Sequence, residues 1–296
     1  MSPEPRSLYG SVVAVTGGAR GIGKATARAL LAHGARVGIG DLEGDLARQA
    51  AEQLGGGAVG FDLNVTQRPS FEAFLDGVEE QLGPVDVLIN NAGIMQLSPL
   101  ESEDDAQTVR MLDVNLAGVL IGCKAVLPRL KGRRRGHIVN VASMAGKTGY
   151  ANAVTYCATK FAVVGASEAL RAELRGSGVD VSVVMPVPVR TELGSGLAGA
   201  RGIDPVEPEE VADEIVEALR VNRFDVFVPR KAGRVDKLAR MLPRRAAEAL
   251  GRAMKADRIL VDADMGARAA YEARASHADP GVEERVADGQ TTASTK

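Results

Sequence analysis

Two residues four positions apart carry the chemistry that this sequence offers most directly. Tyr156 and Lys160 lie in the segment YCATK, in a chain of 296 residues that contains four tyrosines. On a helix, residues i and i+4 project from one face, so a phenol and an ammonium group would lie side by side. A nearby cation favours the phenolate and lowers the pKa of a tyrosine, which suits proton transfer at neutral pH. Such spacings also arise by chance, so the meaning of this pair depends on the rest of the chain.

A glycine-rich turn near the N terminus indicates a second chemical function. TGGARGIG (16–23) follows an apolar, β-branched run and opens a helical pattern. Gly17, Gly21 and Gly23 allow a tight turn and a close approach of the backbone to a pyrophosphate, whose charge rests on the helix N terminus. Because the turn lies between a predicted strand and a predicted helix, it indicates a dinucleotide site rather than a simple connection.

The residues around this turn favour NAD(H) over NADP(H). Asp41 ends the second predicted strand, where a carboxylate can accept hydrogen bonds from the adenosine ribose and would repel a 2′-phosphate. Arg20 favours the opposite choice, because a basic residue in the glycine loop could bind that phosphate. Leu42 and Glu43 follow Asp41 and neither is cationic, so Asp41 carries more weight and NADP(H) remains the alternative.

The elements that must position these residues alternate along the chain. Strand-like runs recur at 11–17, 35–41, 58–63, 85–90, 137–143, 179–185 and 225–228. Helical patterns lie between them at 43–54, 67–82, 101–128, 154–176 and 208–221, besides the helix after the glycine-rich turn. This alternation predicts an α/β fold with a Rossmann-like, doubly wound parallel sheet of about seven strands. We expect one catalytic domain over residues 8–230.

The composition changes beyond residue 230. Residues 230–258 contain ten Lys or Arg and three Asp or Glu, in a chain whose net charge is -2. Apolar residues at helical spacing on both sides of Pro243 predict two helices. We expect a basic helical extension over 231–276 and a polar, disordered tail over 277–296. The extension could pack on the body or on a partner subunit, lie on an anionic membrane surface, or cap the substrate pocket.

Bulk composition excludes several classes of protein. A balanced net charge argues against nucleic acid as a partner. The three histidines, at 33, 137 and 277, are too scattered for a metal site, and Cys123 and Cys157 have no metal-ligand spacing. We expect two buried thiols in a reducing compartment, no targeting segment and no run of about 18 apolar residues that would span a membrane. A cytoplasmic protein is expected, with peripheral membrane contact as an alternative.

Five motifs in order now suggest a family. The chain carries TGGARGIG (16–23), NNAG (90–93), Asn115, Ser143 within VASMAG, and YCATK (156–160). Over roughly residues 8–230, the chain resembles the short-chain dehydrogenase/reductase family. The specificity of this resemblance comes from the order of the motifs, since no single one of them would suffice.

The resemblance implies a catalytic tetrad of Asn115, Ser143, Tyr156 and Lys160. Tyr156 would be the general acid/base that exchanges a proton with a carbonyl or alcohol oxygen. Lys160 would hold the nicotinamide ribose and favour the phenolate, and Ser143 would hydrogen-bond the substrate oxygen. Asn115 would hold a water that links Lys160 to solvent.

The resemblance also implies a set of cofactor contacts. Asp62 matches the acid that hydrogen-bonds adenine, the NNAG turn steadies the central strand, and Val189 and Thr191 match positions that meet the nicotinamide carboxamide. The expected cofactor-binding residues are Gly17, Arg20, Gly21, Ile22, Gly23, Asp41, Asp62, Asn91, Ala92, Gly93, Tyr156, Lys160, Val189 and Thr191. One departure is Val187, which stands before Pro188 where the family usually has glycine. This puts the shape of that loop in doubt, since valine does not readily adopt positive φ.

The expected substrate is a hydrophobic alcohol or ketone. The glycine-rich segment 193–204 is small and apolar and is expected to form a mobile lid, and Met95, Leu97 and Ala145 are further candidate lining residues. An NADPH-dependent ketoreductase, including one of acyl thioesters, is the first alternative, and a non-catalytic dinucleotide-binding scaffold is the second. The resemblance further implies a homodimer or homotetramer through helices 101–128 and 154–176.

Overall fold

One parallel sheet forms the centre of the part of the chain that the computed structural model describes, residues 5–278. Its strands are β1 (Val12–Thr16), β2 (Arg36–Asp41), β3 (Val59–Asp62), β4 (Val87–Asn90), β5 (Gly136–Val141), β6 (Val179–Pro186) and β7 (Asp225–Val228). They are ordered β3-β2-β1-β4-β5-β6-β7, and every pairing is parallel. The order reverses between β1 and β4, where such sheets open a ligand crevice beyond the carboxyl ends of their strands. The predicted doubly wound sheet is confirmed.

Helices cover both faces of this sheet. They are α1 (Gly21–Ala32), α2 (Gly44–Leu54), α3 (Arg68–Leu82), α4 (Asp105–Leu112), α5 (Gly118–Arg133), α6 (Val154–Glu173), α7 (Pro208–Val221), α8 (Arg230–Met241), α9 (Arg244–Ala253) and α10 (Met265–Ala275). Helices α1, α2 and α7 contribute to one apolar core, and α3, α5 and α6 to the other. Along β1, Val13 and Val15 enter the first core while Val12 and Ala14 enter the second. Burial on both faces explains why this strand reads as a continuous apolar run.

The helix predicted over 101–128 is divided into several elements. A short 3-10 turn (Leu100–Ser102) precedes α4, and a π-helical turn (Asp113–Ala117) joins α4 to α5. The stretch Asp105–Arg133 is long and apolar enough to cross a membrane by length and composition, but half of its most apolar window is buried inside the protein. Val119 and Val126 of this stretch pack in the core beneath the sheet. It therefore has the character of a core helix.

Beyond β7, the described chain forms α8, α9 and α10. The break between α8 and α9 falls at Pro243, as the sequence predicts. No residue of α9 is buried, whereas α10 buries Arg268, Tyr271 and Ala275. The predicted tail over 277–296 lies outside the described residues except for His277 and Ala278, and the predicted domain boundaries remain predictions.

Candidate active site

A cavity of about 450 Å³ opens at the carboxyl ends of the central strands. At one end it is lined by the glycine-rich turn and Asp41, and at the other by Ser143, Tyr156 and Lys160. The switch in strand order between β1 and β4 places the two ends side by side, although their residues come from distant parts of the chain. The cavity is therefore large enough, and suitably lined, to hold a dinucleotide beside a smaller molecule.

Tyr156 and Lys160 lie one above the other on α6, as their spacing predicts. The Lys160 ammonium nitrogen lies 5.6 Å from the centroid of the Tyr156 ring and donates a hydrogen bond to the main-chain oxygen of Val141 at 3.1 Å. Ser143 follows β5, where its Oγ accepts a hydrogen bond from the Ala145 N–H at 3.1 Å. The Ser143 hydroxyl also lies close enough to the Tyr156 phenol to lower the pKa of that phenol. Three of the four predicted catalytic residues therefore meet at the cavity wall.

Burial governs the protonation of this pair. It raises the pKa of Tyr156 to about 12, while the hydrogen bond from Ser143 and the positive charge of Arg268 act in the opposite direction. Burial also lowers the pKa of Lys160 to about 8. Both groups lose water, and desolvation disfavours the charged form of each. The pKa of Tyr156 is therefore raised, whereas the sequence led us to expect that Lys160 would lower it.

Asn115 lies behind the cavity, in the π-helical turn between α4 and α5. Its side chain accepts from the Ile94 N–H at 2.8 Å, and donates to the Ile94 carbonyl at 2.8 Å and to the Thr159 hydroxyl at 3.2 Å. A Cβ on Gly93 would lie 3.2 Å from Asn115 Oδ1 and 3.5 Å from Lys160 Nζ, so a glycine lets these groups approach. The side chain of Asn115 thus holds the segment after β4 against α6. Its predicted part in a water relay remains a prediction.

The glycine-rich turn is packed too tightly for side chains. Gly17 and Gly21 have φ of 62° and 49°, in the left-handed region that favours glycine. A Cβ on Gly23 would lie 2.2 Å from the Gly17 carbonyl oxygen, which means that α1 packs directly on the turn. Asn91 of the NNAG segment donates to the carbonyls of Thr16 and Gly17 at 2.9 and 3.0 Å. This backbone cradle fits the pyrophosphate of a dinucleotide.

Two acidic residues control the charge at the adenosine end. Asp41 accepts hydrogen bonds from the main-chain N–H groups of Ala19 at 3.2 Å and Glu43 at 3.3 Å, and burial raises its pKa. Arg20 forms a two-pronged pair with Glu43 at 2.6 and 3.0 Å and lies 3.9 Å from a carboxylate oxygen of Glu192. The charge of Arg20 is therefore balanced within the protein. The sequence indicates only that Glu43 is not cationic, and does not predict its pairing with Arg20.

The structure bears on two further predictions about the cofactor site, one for Asp62 and one for the loop at Val187. The Asp62 carboxylate binds Arg48 at 2.8 Å and does not line the cavity, which at this point is lined by Leu63 and Asn64. The predicted adenine contact of Asp62 remains a prediction. Val187 is not one of the non-glycine residues that have a positive φ in the described part of the chain. The loop at Val187 thus has a backbone open to valine. Val189 and Thr191, which were predicted to contact the cofactor, line the cavity together with Val187 and Pro188.

Functional residues that sequence reasoning missed come from the C-terminal segment. Ile259, Leu260, Tyr271 and Arg274 all line the cavity. The Tyr271 oxygen accepts a hydrogen bond from the Met95 N–H at 2.8 Å. Of the three roles considered for the extension, these contacts show two for residues 259–278, which cap the pocket and pack on the body of the domain. One available signal was Tyr271 itself, a rare aromatic residue in a segment poor in them.

Arg268 joins this segment to the loop predicted to be a lid. Its side chain is fully buried. The guanidinium donates to the main-chain oxygens of Leu193 at 2.8 Å, Ser195 at 3.0 Å and Met95 at 2.8 Å, and pairs with Glu272 at 3.0 Å. The glycine-rich loop is therefore tied to α10 and to the segment after β4.

Comparison with known proteins places the chain in a family. The family model described as short chain dehydrogenase matches residues 11–200. The chain is 42% identical to a D-threitol dehydrogenase of Mycolicibacterium smegmatis over 63% of this chain and 73% of that protein. It is 37% identical to a 3-alpha-(or 20-beta)-hydroxysteroid dehydrogenase of Mycobacterium bovis over 68% of this chain and 80% of that protein.

A solved structure agrees with the fold. A short chain dehydrogenase/reductase from Burkholderia phymatum, in complex with NAD, superposes with a TM-score of 0.73 at 24% identity, covering 80% of this chain and 95% of that one. The resemblance seen in the sequence is therefore confirmed at the level of the family. This chain belongs to the short-chain dehydrogenase/reductase family of oxidoreductases.

Proposed function

We propose that this protein transfers a hydride between NAD(H) and a hydrophobic alcohol or ketone, with Tyr156 as the general acid/base. The observation that carries the proposal is the Tyr156 phenol, which lies beside Ser143 and Lys160 in the wall of a cavity that extends to the glycine cradle. The cofactor, when bound, supplies or accepts the hydride. The residues of this chain hold the substrate oxygen and move the proton.

In the direction of ketone reduction, Tyr156 donates its phenolic proton to the carbonyl oxygen. Ser143 Oγ accepts from the Ala145 N–H, so its hydroxyl proton can turn from the Tyr156 phenol to the same oxygen and stabilise the negative charge that develops on it. Lys160, fixed on the Val141 carbonyl beneath the Tyr156 ring, supplies the positive charge that favours the phenolate left behind. In alcohol oxidation the same groups act in reverse.

The charges at the adenosine end support NAD(H) as the cofactor. Asp41 lines the cavity where a ribose would lie, and a carboxylate there repels a 2′-phosphate. Arg20, the residue that could bind such a phosphate, is paired with Glu43 and lies near Glu192. An NADPH-dependent ketoreductase, including one of acyl thioesters, is the alternative, and it would require Arg20 to leave Glu43.

Titration with NADH and NADPH, followed by nicotinamide fluorescence, tests the cofactor. We expect NADH to bind at least about tenfold more tightly, which corresponds to about 1.4 kcal/mol. Asp41→Ala removes both the ribose ligand and the repulsion, so the preference should fall to about twofold or less. Asp45→Ala, which removes an exposed carboxylate from α2, should keep the preference. Tighter binding of NADPH by the unmodified protein would contradict the assignment.

The substrate end of the cavity is apolar. Its walls include Met95, Ala145, Leu193, Leu197 and Ile259. Such walls favour a substrate with a sizeable hydrocarbon part, because apolar surface removed from water stabilises the complex. The hydroxysteroid named for one relative belongs to that class. A non-catalytic scaffold is disfavoured, because a protein that only binds a dinucleotide has no need of the Ser143–Tyr156 pair.

We further propose a cytoplasmic protein that self-associates through α5 and α6. Leu120 of α5 and Val154 and Phe161 of α6 are exposed apolar side chains that such an interface would cover. Sedimentation analysis should show a dimer or tetramer, and Phe161→Glu should shift it toward monomer; a monomeric unmodified protein would contradict the proposal. The alternative of membrane contact through 231–276 relies on the exposed, basic α9, and flotation with anionic vesicles is the measurement that checks it.

A further inference from the structure

Tyr271, on α10, places a second phenol in the cavity that contains Tyr156. The residue is 8% exposed and lines the cavity wall. Its oxygen accepts a hydrogen bond from the Met95 N–H at 2.8 Å. The two phenols are near enough for the charge of Tyr156 to contribute to a raised pKa of Tyr271, whose main cause is burial. Tyr271 is therefore protonated at neutral pH and has a proton to donate.

That proton has no acceptor among residues 5–278. A phenol carries one donor hydrogen and lone pairs on oxygen. In the described part of the protein, the hydrogen bond made by the Tyr271 hydroxyl uses a lone pair, since Met95 is the donor. A buried donor without a partner is unfavourable, and an acceptor on a molecule inside the cavity would satisfy it.

The position of this donor is fixed by its surroundings. The same Met95 residue whose N–H binds Tyr271 offers its carbonyl to Arg268 at 2.8 Å. The Arg268 guanidinium lies 5.1 Å from the centroid of the Tyr271 ring and is held in turn by Glu272. A donor held by a buried hydrogen bond at its oxygen and by a cation–π contact at its ring is preorganised for a ligand, so little freedom is lost when the ligand binds.

Most of the other side chains packed around the two phenols are apolar, although Ser143, Lys160 and Arg274 also line the cavity. Ile94, Met95, Leu193 and Leu260 lie in the same apolar cluster as Tyr156 and Tyr271. A molecule whose reacting oxygen binds Tyr156 would thus meet Tyr271 as a further fixed polar group. A pocket of this kind discriminates most sharply by hydrogen bonds, because a ligand that lacks the matching atom leaves a buried group unpaired.

We propose that Tyr271 is a specificity-determining residue that donates a hydrogen bond to a second oxygen of the substrate. The preferred substrates are hydrophobic ketones or alcohols that carry another carbonyl or hydroxyl group at a distance from the reacting carbon. The proposal deepens the proposed function and rests on it for the position of the reacting oxygen at Tyr156.

The test measures binding, so that it does not depend on turnover. Linear diketones of increasing carbonyl spacing are each paired with the monoketone of equal chain length. Their affinities for the NAD⁺ complex, in which a ketone cannot be reduced, are measured by calorimetry. One diketone spacing should bind about tenfold more tightly than its monoketone, and Tyr271→Phe should reduce that ratio to about twofold or less.

Tyr150→Phe is the matched control. Tyr150 also lines the cavity, but no described residue fixes its hydroxyl, so the diketone preference should survive its loss. A purely structural role of Tyr271 would weaken both members of each pair equally and leave the ratio unchanged, which would overturn the proposal. Equal affinities for diketones and monoketones in the unmodified protein would overturn it as well. If the preference is found but NADH reduces none of these ketones, the specificity role stands and the proposed reaction fails.

Discussion

Replacing Tyr156 with phenylalanine should lower kcat for ketone reduction about a thousandfold, within the range that a positioned general acid contributes. The substitution removes the proton that the carbonyl oxygen must receive. The ring remains, so the apolar packing of α6 against the cavity is kept. NADH affinity should change by no more than about twofold, because the cradle of Gly17 and Gly23 is untouched.

The measurement is steady-state reduction of a ketone with NADH, accompanied by a fluorescence titration of NADH. Tyr9→Phe is the matched control, since it removes the same hydroxyl from a tyrosine that is 83% exposed and outside the cavity. This control should retain the activity of the unmodified protein. A Tyr156→Phe protein that is fully active would exclude Tyr156 as the acid/base, even if every other residue of the tetrad proved necessary.

Replacing Arg268 with methionine should destabilise the protein by about 3 kcal/mol, at the lower end of the range for breaking a buried ion pair. The substitution leaves Glu272 without its cation and the carbonyls of Met95, Leu193 and Ser195 without their donor. The side chain of Arg268 is fully buried, so water cannot replace these hydrogen bonds. The same change frees the loop over the cavity from α10, and KM for ketones should rise more than kcat falls.

Urea unfolding and thermal melting check the stability. The expected loss corresponds to a Tm about 5–10 °C lower. Arg258→Met is the control, because Arg258 also pairs with a carboxylate four residues on, Asp262, but is 62% exposed. Exposed pairs contribute little, and the control should lie within about 0.5 kcal/mol of the unmodified protein. Equal effects of the two substitutions would show that burial of Arg268 does not stabilise this segment.

The parts of the site that local patterns could predict are those encoded within one element. The glycine-rich turn is recognisable because it must follow a strand and open a helix. Both of these elements can be predicted from the periodicity of their apolar residues. Tyr156 and Lys160 are recognisable because helical geometry alone places them on one face. For the same reason, the seven strands and their helices follow from alternation in the sequence, and the sheet order confirms it.

Other properties of the site depend on which elements pack together. The sequence led us to expect a Tyr156 pKa lowered by Lys160, but burial under α10 and the loop at Leu193 raises it, and burial is not a local property. Arg20 and Glu43 neutralise each other across the ends of two strands, which makes Arg20 a weaker phosphate ligand than its type suggests.

The fold class, the glycine cradle and the Tyr156–Lys160 pair could be predicted from local patterns in the sequence, because each follows from short-range geometry, whereas Ser143 was assigned through the family resemblance. How the cavity closes depends on tertiary contacts. The hydrogen bond from Arg268 to the Met95 carbonyl joins residues 173 positions apart, and no periodicity or motif encodes a contact of that range. Tyr271 and Arg268 enter the site because α10 folds back over the carboxyl ends of the strands, where buried hydrogen bonds and apolar contacts hold it.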